Sequence, residues 1–491
     1  MNVSTHARSA TRRGRVTRLA TGMAALGLVV ACSSPADDAD EQQADTAPTA
    51  DTVPTVDPVV PADSTAPGDS AAPDDSSTPV DSVTPDDTSA PDDTDDAGRD
   101  DTGPATLEPV VVAVLYPDVS VAADFGFAEE VSDFAPVFDA LMDDANARGG
   151  IAGHEIDLEM VQFDLLVAGD AVRACLTATQ DLDAQIVIGA FGVFGDPIPC
   201  VTEQNETLMI TSDGAPAEFY DRADGRLFTL TPSKDETQLA ILGAFADELA
   251  AAPFALFSSL EEGGDNEAVQ SALLPALTDA GLEPAVTVVL DNDTEVAASQ
   301  IPIEVEKLRS AGVETVVSTA GFFVTAPFAT ALQAAGVDVQ WVGSDAAGFA
   351  GNLYASQMPP EQLDGAAAVT VHSLGWEGAG QDEPEALSAC RARAGELLGT
   401  EVALGSVDVG GAVEACNYAD ILVEAGRLVE GELNPTSFAA ALHRLTDIEL
   451  VDFGPAGFGE DDVTAANAVR EISWSADCEC WSVVGEYEPI G

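Results

Sequence analysis

The chain runs to 491 residues, with 86 acidic and 18 basic side chains and a formal net charge of -68. That balance excludes nucleic acid and anionic membrane surfaces as partners reached through charge, because both need positive patches. The length is ample for two domains, and the acidic surface fits an extracellular protein without bearing on fold.

The first eighteen residues carry Arg8, Arg12, Arg13, Arg15 and Arg18 and no acid. Leu19 to Ala31 is uncharged and mostly apolar, about thirteen residues, too short for a hydrocarbon core of ~30 Å. A basic start, a short apolar middle and small residues before a cut describe an export signal over 1–31. Val29-Val30-Ala31-Cys32 resembles the lipobox of bacterial lipoproteins. The resemblance implies cleavage before Cys32 and diacylation of its thiol, a lipid anchor on the outer face of the cytoplasmic membrane. Thr11-Arg12-Arg13 leaves the export route, general or twin-arginine, open.

Residues 32–106 follow as an acidic Asp, Pro, Thr and Ser segment, with about twenty acids, the single base Arg99 and no aromatic ring. Such a chain buries too little apolar surface to offset its ordering entropy, so a disordered, extended stalk is expected. Beyond it lie about twelve bases, of which only Lys234 and Lys307 are lysines.

The folded part begins with the apolar run Val110–Leu115, a strand covered on both faces. Phe134 to Arg148 reads as an amphipathic helix ended by Gly149-Gly150. Strands are expected at 156–163, 186–189 and 208–211, with a helix at 168–182. After a helix at about 235–251 the alternation restarts: strands at 254–257, 285–290, 315–318 and 339–342, helices at 266–280, 301–311 and 325–335. Strands alternating with helices give parallel sheets with right-handed crossovers, here in two tandem Rossmann-like lobes. Ligands in such sheets bind beyond the carboxyl ends of the strands.

Six cysteines remain after Cys32, and fifteen connectivities are open to them. Neighbourhood favours Cys175 with Cys200 and Cys390 with Cys416, which leaves Cys478 with Cys480 in a small ring of poor geometry. No metal site is expected: there is no C-x2-C pair, and His6, His154, His372 and His443 are scattered. No nucleophile elbow, zincin helix or phosphate loop is present, so no enzyme activity and no cofactor is expected. Asp291-Asn-Asp293-Thr-Glu295 lacks the glycine of a calcium loop and reads as the end of a strand.

Asn146-Ala-Arg-Gly-Gly-Ile-Ala-Gly153, followed by a strand and Asp164, resembles the N-A-x-G-G-I-x-G signature of type I periplasmic binding proteins. Ile186–Gly189, Leu208–Ser212 and Trp341–Asp345 fall where that family has its next strands, and the likeness spans 107–491. It is nearest to the leucine/isoleucine/valine-binding branch, which feeds ABC importers. The resemblance implies a clamshell with three crossovers as hinge, a small-molecule solute, an ABC permease as partner, and a monomer. One lobe would comprise 107–232 with about 366–455, the other 233–365 with about 456–491. A helix over 413–429 would return to the first lobe, and 472–474 and 481–484 would close the second.

Carried over by position, Phe125 would stack over the ligand side chain. Gly192 and Val193 fall on the loop that supplies a hydroxyl for a ligand carboxylate, and Val193 has none. Gly214, with Asp213 beside it, would offer a carbonyl to an ammonium; Phe322 and Phe323 match an aromatic loop, and Asp345 the acid that pairs with the ammonium. These departures suit an amide, amine or modified amino acid better than an ordinary α-amino acid. Read from the residues alone, Phe322 and Phe323 serve equally as lobe core, Asp345 as a helix N-cap and Phe125 as a loop cap. A sensor module of the same fold, or an envelope lipoprotein that has lost its ligand, are the rival readings.

Overall fold

The computed structural model describes residues 107–490 except 119, 121–132, 165–166, 168, 192, 194, 261–264, 346–348, 352–354, 356, 405 and 461. The expectations for the leader, Cys32 and the segment to 106, and those for Phe125 and Gly192, lie outside the described residues.

The first apolar run becomes β1 (Val110–Pro117), buried along nearly its whole length and flanked in parallel by β2 (Ile156–Phe163) and β3 (Ile186–Gly189). α1 (Ala135–Ala147) connects β1 to β2 and packs Phe138, Leu141 and Met142 onto the sheet. The glycine-rich signature between α1 and β2 has a mechanical reason. Asn146 clamps the start of β2, donating from Nδ2 to the Ile156 carbonyl (3.0 Å) and accepting from its N–H (2.7 Å). Gly150 has φ +58°, and a Cβ there would stand 2.0 Å from the His154 carbonyl oxygen, so only glycine fits this turn.

The helix expected at 168–182 is instead α2 (Asp170–Leu176) continued by a π-helical turn over Thr177–Asp181. There the Thr179 hydroxyl takes the Cys175 carbonyl at 2.8 Å, competing with the regular ladder. β4 (Leu208–Thr211) follows, then α3 (Ala217–Ala223) and β5 (Leu227–Thr229), completing an all-parallel sheet in the order β2-β1-β3-β4-β5.

α4 (Lys234–Ala251) opens the second lobe behind a capping box between Ser233 and Glu236. β6 (Phe254–Leu260), β7 (Val286–Asp291), α5 (Thr294–Ala311), β8 (Thr315–Ser318), α6 (Phe322–Ala334) and β9 (Gln340–Ser344) then alternate as expected, with a further helical run over 265–279. α5 starts two turns before its expected position. Asp293, read as the end of a strand, accepts from the N–H groups of Glu295 and Val296 and caps the helix, which tolerates Pro302. β10 (Ala367–Thr370) joins β9 in parallel.

The chain returns to the first core with α7 (Glu385–Leu398), α8 (Val407–Leu428) and α9 (Pro435–Leu442). β11 (Ala468–Ser475), β12 (Cys480–Val483) and β13 (Glu488–Pro489) close the second sheet in antiparallel fashion, in the order β12-β11-β10-β9-β8-β6-β7 with β13 on β11. Two expected boundaries move. The return comes after Thr370 rather than at 366, because Ala367–Thr370 is a strand of the second sheet. Residues 456–466 stay with the first core rather than passing to the second, since Ala456 pairs with Ile448 and Ala466, and Phe458 and Ala465 are buried there.

Among the described residues three crossings therefore join the lobes, after β5, after β10 and before β11; the first and third run beside one another, and the second lies against 452–454 of the first lobe. Ala465 and Ala466 donate to the carbonyls of Thr229 and Leu230, while Ser373 donates to Asp452 and Gly454 to Val371. Cys175–Cys200, Cys390–Cys416 and Cys478–Cys480 are joined, with Cα separations of 6.3, 6.2 and 5.2 Å.

Candidate functional site

At the carboxyl end of β3 the chain turns through Ala190 and Phe191. Phe191 has φ 56°, a left-handed conformation that a bulky side chain rarely takes. The turn lays its ring on that of Phe134, at the start of α1, with centroids 4.2 Å apart and planes within 19°. α8 closes over this stack because its first turns carry glycine: a Cβ on Gly411 would lie 2.6 Å from the Phe134 ring, and one on Gly410 would touch Phe191 at 3.5 Å.

One turn further along α8 stands Glu414, and one more turn brings Tyr418, on the same helical face. The fully buried Tyr418 donates its hydroxyl to the Gly189 carbonyl at 2.6 Å, tying α8 to the end of β3. Glu414 meets the Ser212 and Tyr418 hydroxyls and the Phe191 amide, with Asp213 close by. Its Oε2 is buried and has no hydrogen-bond partner among the described residues. Burial first, and the Asp213 carboxylate second, push the Glu414 carboxyl up to about 8, so it is mostly protonated at neutral pH. Burial also raises Tyr418 well above its ordinary value and keeps it a donor.

Ser212, Asp213 and Gly214 leave β4 together. Ser212 donates its N–H to Gly189 and its hydroxyl to Asp213 at 3.3 Å. Gly214 presses on the first crossing: a Cβ there would stand 1.9 Å from the Pro232 carbonyl oxygen. Val193, by contrast, is buried in the first lobe's core with Ile198 and Cys200. Its apolar side chain packs into that core.

In the second lobe, Phe322 and Phe323 open α6 directly beyond β8, after Gly321, whose N–H donates to the Ser259 hydroxyl at 3.0 Å. Asp345 ends β9, but no described helix starts from it. Its Oδ2 accepts from the Thr370 hydroxyl (2.7 Å) and the Val371 N–H (2.8 Å), with His372 Nε2 at 3.8 Å. That makes Asp345 a clasp between β9 and the second crossing. A cavity also lies at this crossing, lined by Ser373, Glu385, Ile448, Asp452, Phe453 and Asn467.

The structure thus gathers Asp213 and Gly214 around a group that sequence reasoning missed: Phe134, Phe191, Glu414 and Tyr418. One local signal was available. Gly410-Gly411, Glu414 and Tyr418 recur at helical spacing among Val409, Ala412, Val413, Ala415 and Cys416, which places an acid in a mostly apolar part of the helix.

The fold matches known proteins. A family model described as periplasmic binding protein covers residues 109–479. Among solved structures, a branched-chain amino acid ABC transporter protein from Thermus thermophilus with bound valine aligns at 16% identity and a TM-score of 0.59, over 78% of this chain and 97% of that one. A solute-binding protein of an ABC transporter from Rhodopseudomonas palustris HaA2 with p-hydroxybenzoic acid aligns at 13% identity and 0.56, over 78% and 98%. A fatty acid ABC transporter substrate-binding protein from Thermomonospora curvata aligns at 15% and 0.57, over 78% and 92%. A comparison with curated proteins finds no match. At these identities the solved structures speak for the fold, and their cargoes range from amino acid to fatty acid. With the family model spanning both lobes and all three crossings, the chain belongs to the periplasmic binding protein family, whose members work outside the cytoplasm.

Proposed function

We propose that this protein is the solute-binding component of an ABC importer, held on the outer face of the cytoplasmic membrane by acylated Cys32 and lifted from it by the stalk over 33–106. Its cargo is a small solute with an amine or amide end. The lobes close on it by bending at the three crossings, and the three disulfides keep the lobes rigid while they do so.

The observation that carries this reading is the end of the first sheet, where stacked Phe134 and Phe191 stand beside the carboxyl groups of Asp213 and Glu414. The half-buried Phe191 ring, backed by the core residue Phe134, and the two acids together suit a cationic or polar nitrogen and disfavour an anion. Gly214, Phe323 and the backbone of Phe322 occupy strand ends of the two lobes, as wall residues would.

A melting-temperature screen of amino acids, their amides and aliphatic amines tests the proposal, because a tight ligand stabilises by RT ln(1 + [L]/Kd). At least one amide or amine is expected to raise Tm and to shrink the radius of gyration as the lobes close. If no solute of any class moves either quantity, the binding role is wrong.

A further inference from the structure

We propose that Glu414 sets the charge of the solute: its unpartnered oxygen, Oε2, receives a cationic nitrogen. The inference rests on the solute-binding reading above and names the class of ligand within it.

Geometry carries it. Glu414 projects from α8 to the carboxyl ends of β3 and β4, the side of the sheet where ligands of such folds sit. The groups that face its carboxyl are Ser212 and Asp213 from the β4 end, Tyr418 from its own helix and the Phe191 amide from the β3 end. No base stands among them. Tyr418 is committed to the Gly189 carbonyl, and Phe191 reaches Glu414 only by holding a left-handed backbone. The remaining oxygen, Oε2, is buried and has no partner among the described residues. Once the carboxyl ionises, this oxygen is a buried acceptor without a donor, and an ammonium supplies one together with the missing positive charge. An anionic solute would instead meet Asp213 beside Glu414.

The step balances. A neutral Glu414 and an ammonium become a carboxylate–ammonium pair, and one proton passes to water. A neutral amine would take that proton itself, reaching the same pair. The carboxyl's midpoint near 8 in the empty protein sets the pH range. Below it the binding-competent form is the minor one, so affinity for a cation should fall about tenfold per pH unit.

Two matched probe pairs test this on the full chain: benzylamine against benzoate, and isoamylamine against isovalerate, each pair alike in shape and opposite in charge. Titration calorimetry at about pH 6 and about pH 9 should show the amines binding more tightly at the higher value and the acids not binding at either. Proton release should appear as a heat that depends on the buffer. Glu414→Gln should abolish amine binding and its pH dependence. In parallel, the carboxyl band of Glu414 in the infrared spectrum of the empty wild type, identified by its loss in Glu414→Gln, should titrate near 8. Binding of either acid, or amine binding unchanged in Glu414→Gln, overturns the inference. An ordinary carboxylate titration of Glu414 removes it alone, whatever binds. If no probe of either charge binds and the screen above is also blank, the solute-binding reading falls and this inference with it.

Discussion

Phe191 sits where a backbone rarely goes, and the contacts around it show what holds it there. Phe134 covers its ring, the Gly410-Gly411 pair lets α8 approach, and its N–H is turned toward Glu414. Glu414 in turn keeps its proton in the folded state to a pH at which the unfolded chain has lost it. A raised carboxyl value means that folding retains a proton between the ordinary Glu range and about 8. Across that window stability falls as pH rises, by about 1.4 kcal/mol per unit from this group, and it levels off above. Glu414→Gln, which keeps the neutral shape, should remove that slope. Denaturant melts of both proteins at about pH 5 and about pH 8 should converge at the lower value and leave the variant more stable at the higher. Parallel slopes would show that Glu414 is ionised in the fold.

Among the elements, α8 does the most to shape the site, and it is fastened on three sides. Its disulfide from Cys416 reaches Cys390 on α7. Asp420 pairs with Arg148 after α1 and with Arg393 on α7, at 2.7 and 3.0 Å, and both arginines also pair with Asp144. Gly426 permits contact with the signature turn, since a Cβ there would stand 2.8 Å from the Ala152 nitrogen. The cross-link closes a loop of 26 residues, for which constrained unfolded-chain entropy is about 3 kcal/mol. Replacing Cys390 and Cys416 together by alanine should lower stability by roughly that amount, and the Cys175–Cys200 pair, 25 residues apart, should behave alike. Peptide mapping without reduction checks the pairing itself; a free thiol at any of these four positions would contradict it. Cys478 and Cys480 enclose a single residue, so their bond constrains the unfolded chain much less.

At the scale of the molecule, two sheets with separate cores are joined by three crossings among the described residues, and Asp345 clasps the second to β9. Bending at those crossings leaves both cores intact, and so the lobes can move as bodies. Residues 33–106 carry no aromatic ring, leucine or isoleucine, a composition too polar to bury a core. A protein starting near Thr106 should therefore melt at the same temperature and bind its solute with unchanged affinity, whereas Cys32→Ser in the full chain should leave the membrane fraction. A clear drop in Tm on truncation, or retention of the serine variant on membranes, would count against the stalk or the anchor respectively.

Local pattern alone determined the alternating strands and helices of both lobes, the Gly149-Gly150 end of α1 and the pairing of neighbouring cysteines. Each of these depends on residues a few places apart, through side-chain period or turn stereochemistry. Short elements were illegible where such signals clash: β10 is four small or β-branched residues, and α5 begins at a cap that looked like a strand's end. The site was decided by tertiary structure. Tyr418 and Gly189 are 229 residues apart in the chain, and Glu414 reaches Asp213 only because the second stretch of the first lobe returns across the hinge. Nothing in the periodicity of α8 says which loop will lie against it. Burial, the cause of Glu414's retained proton, does not exist until both lobe halves have packed.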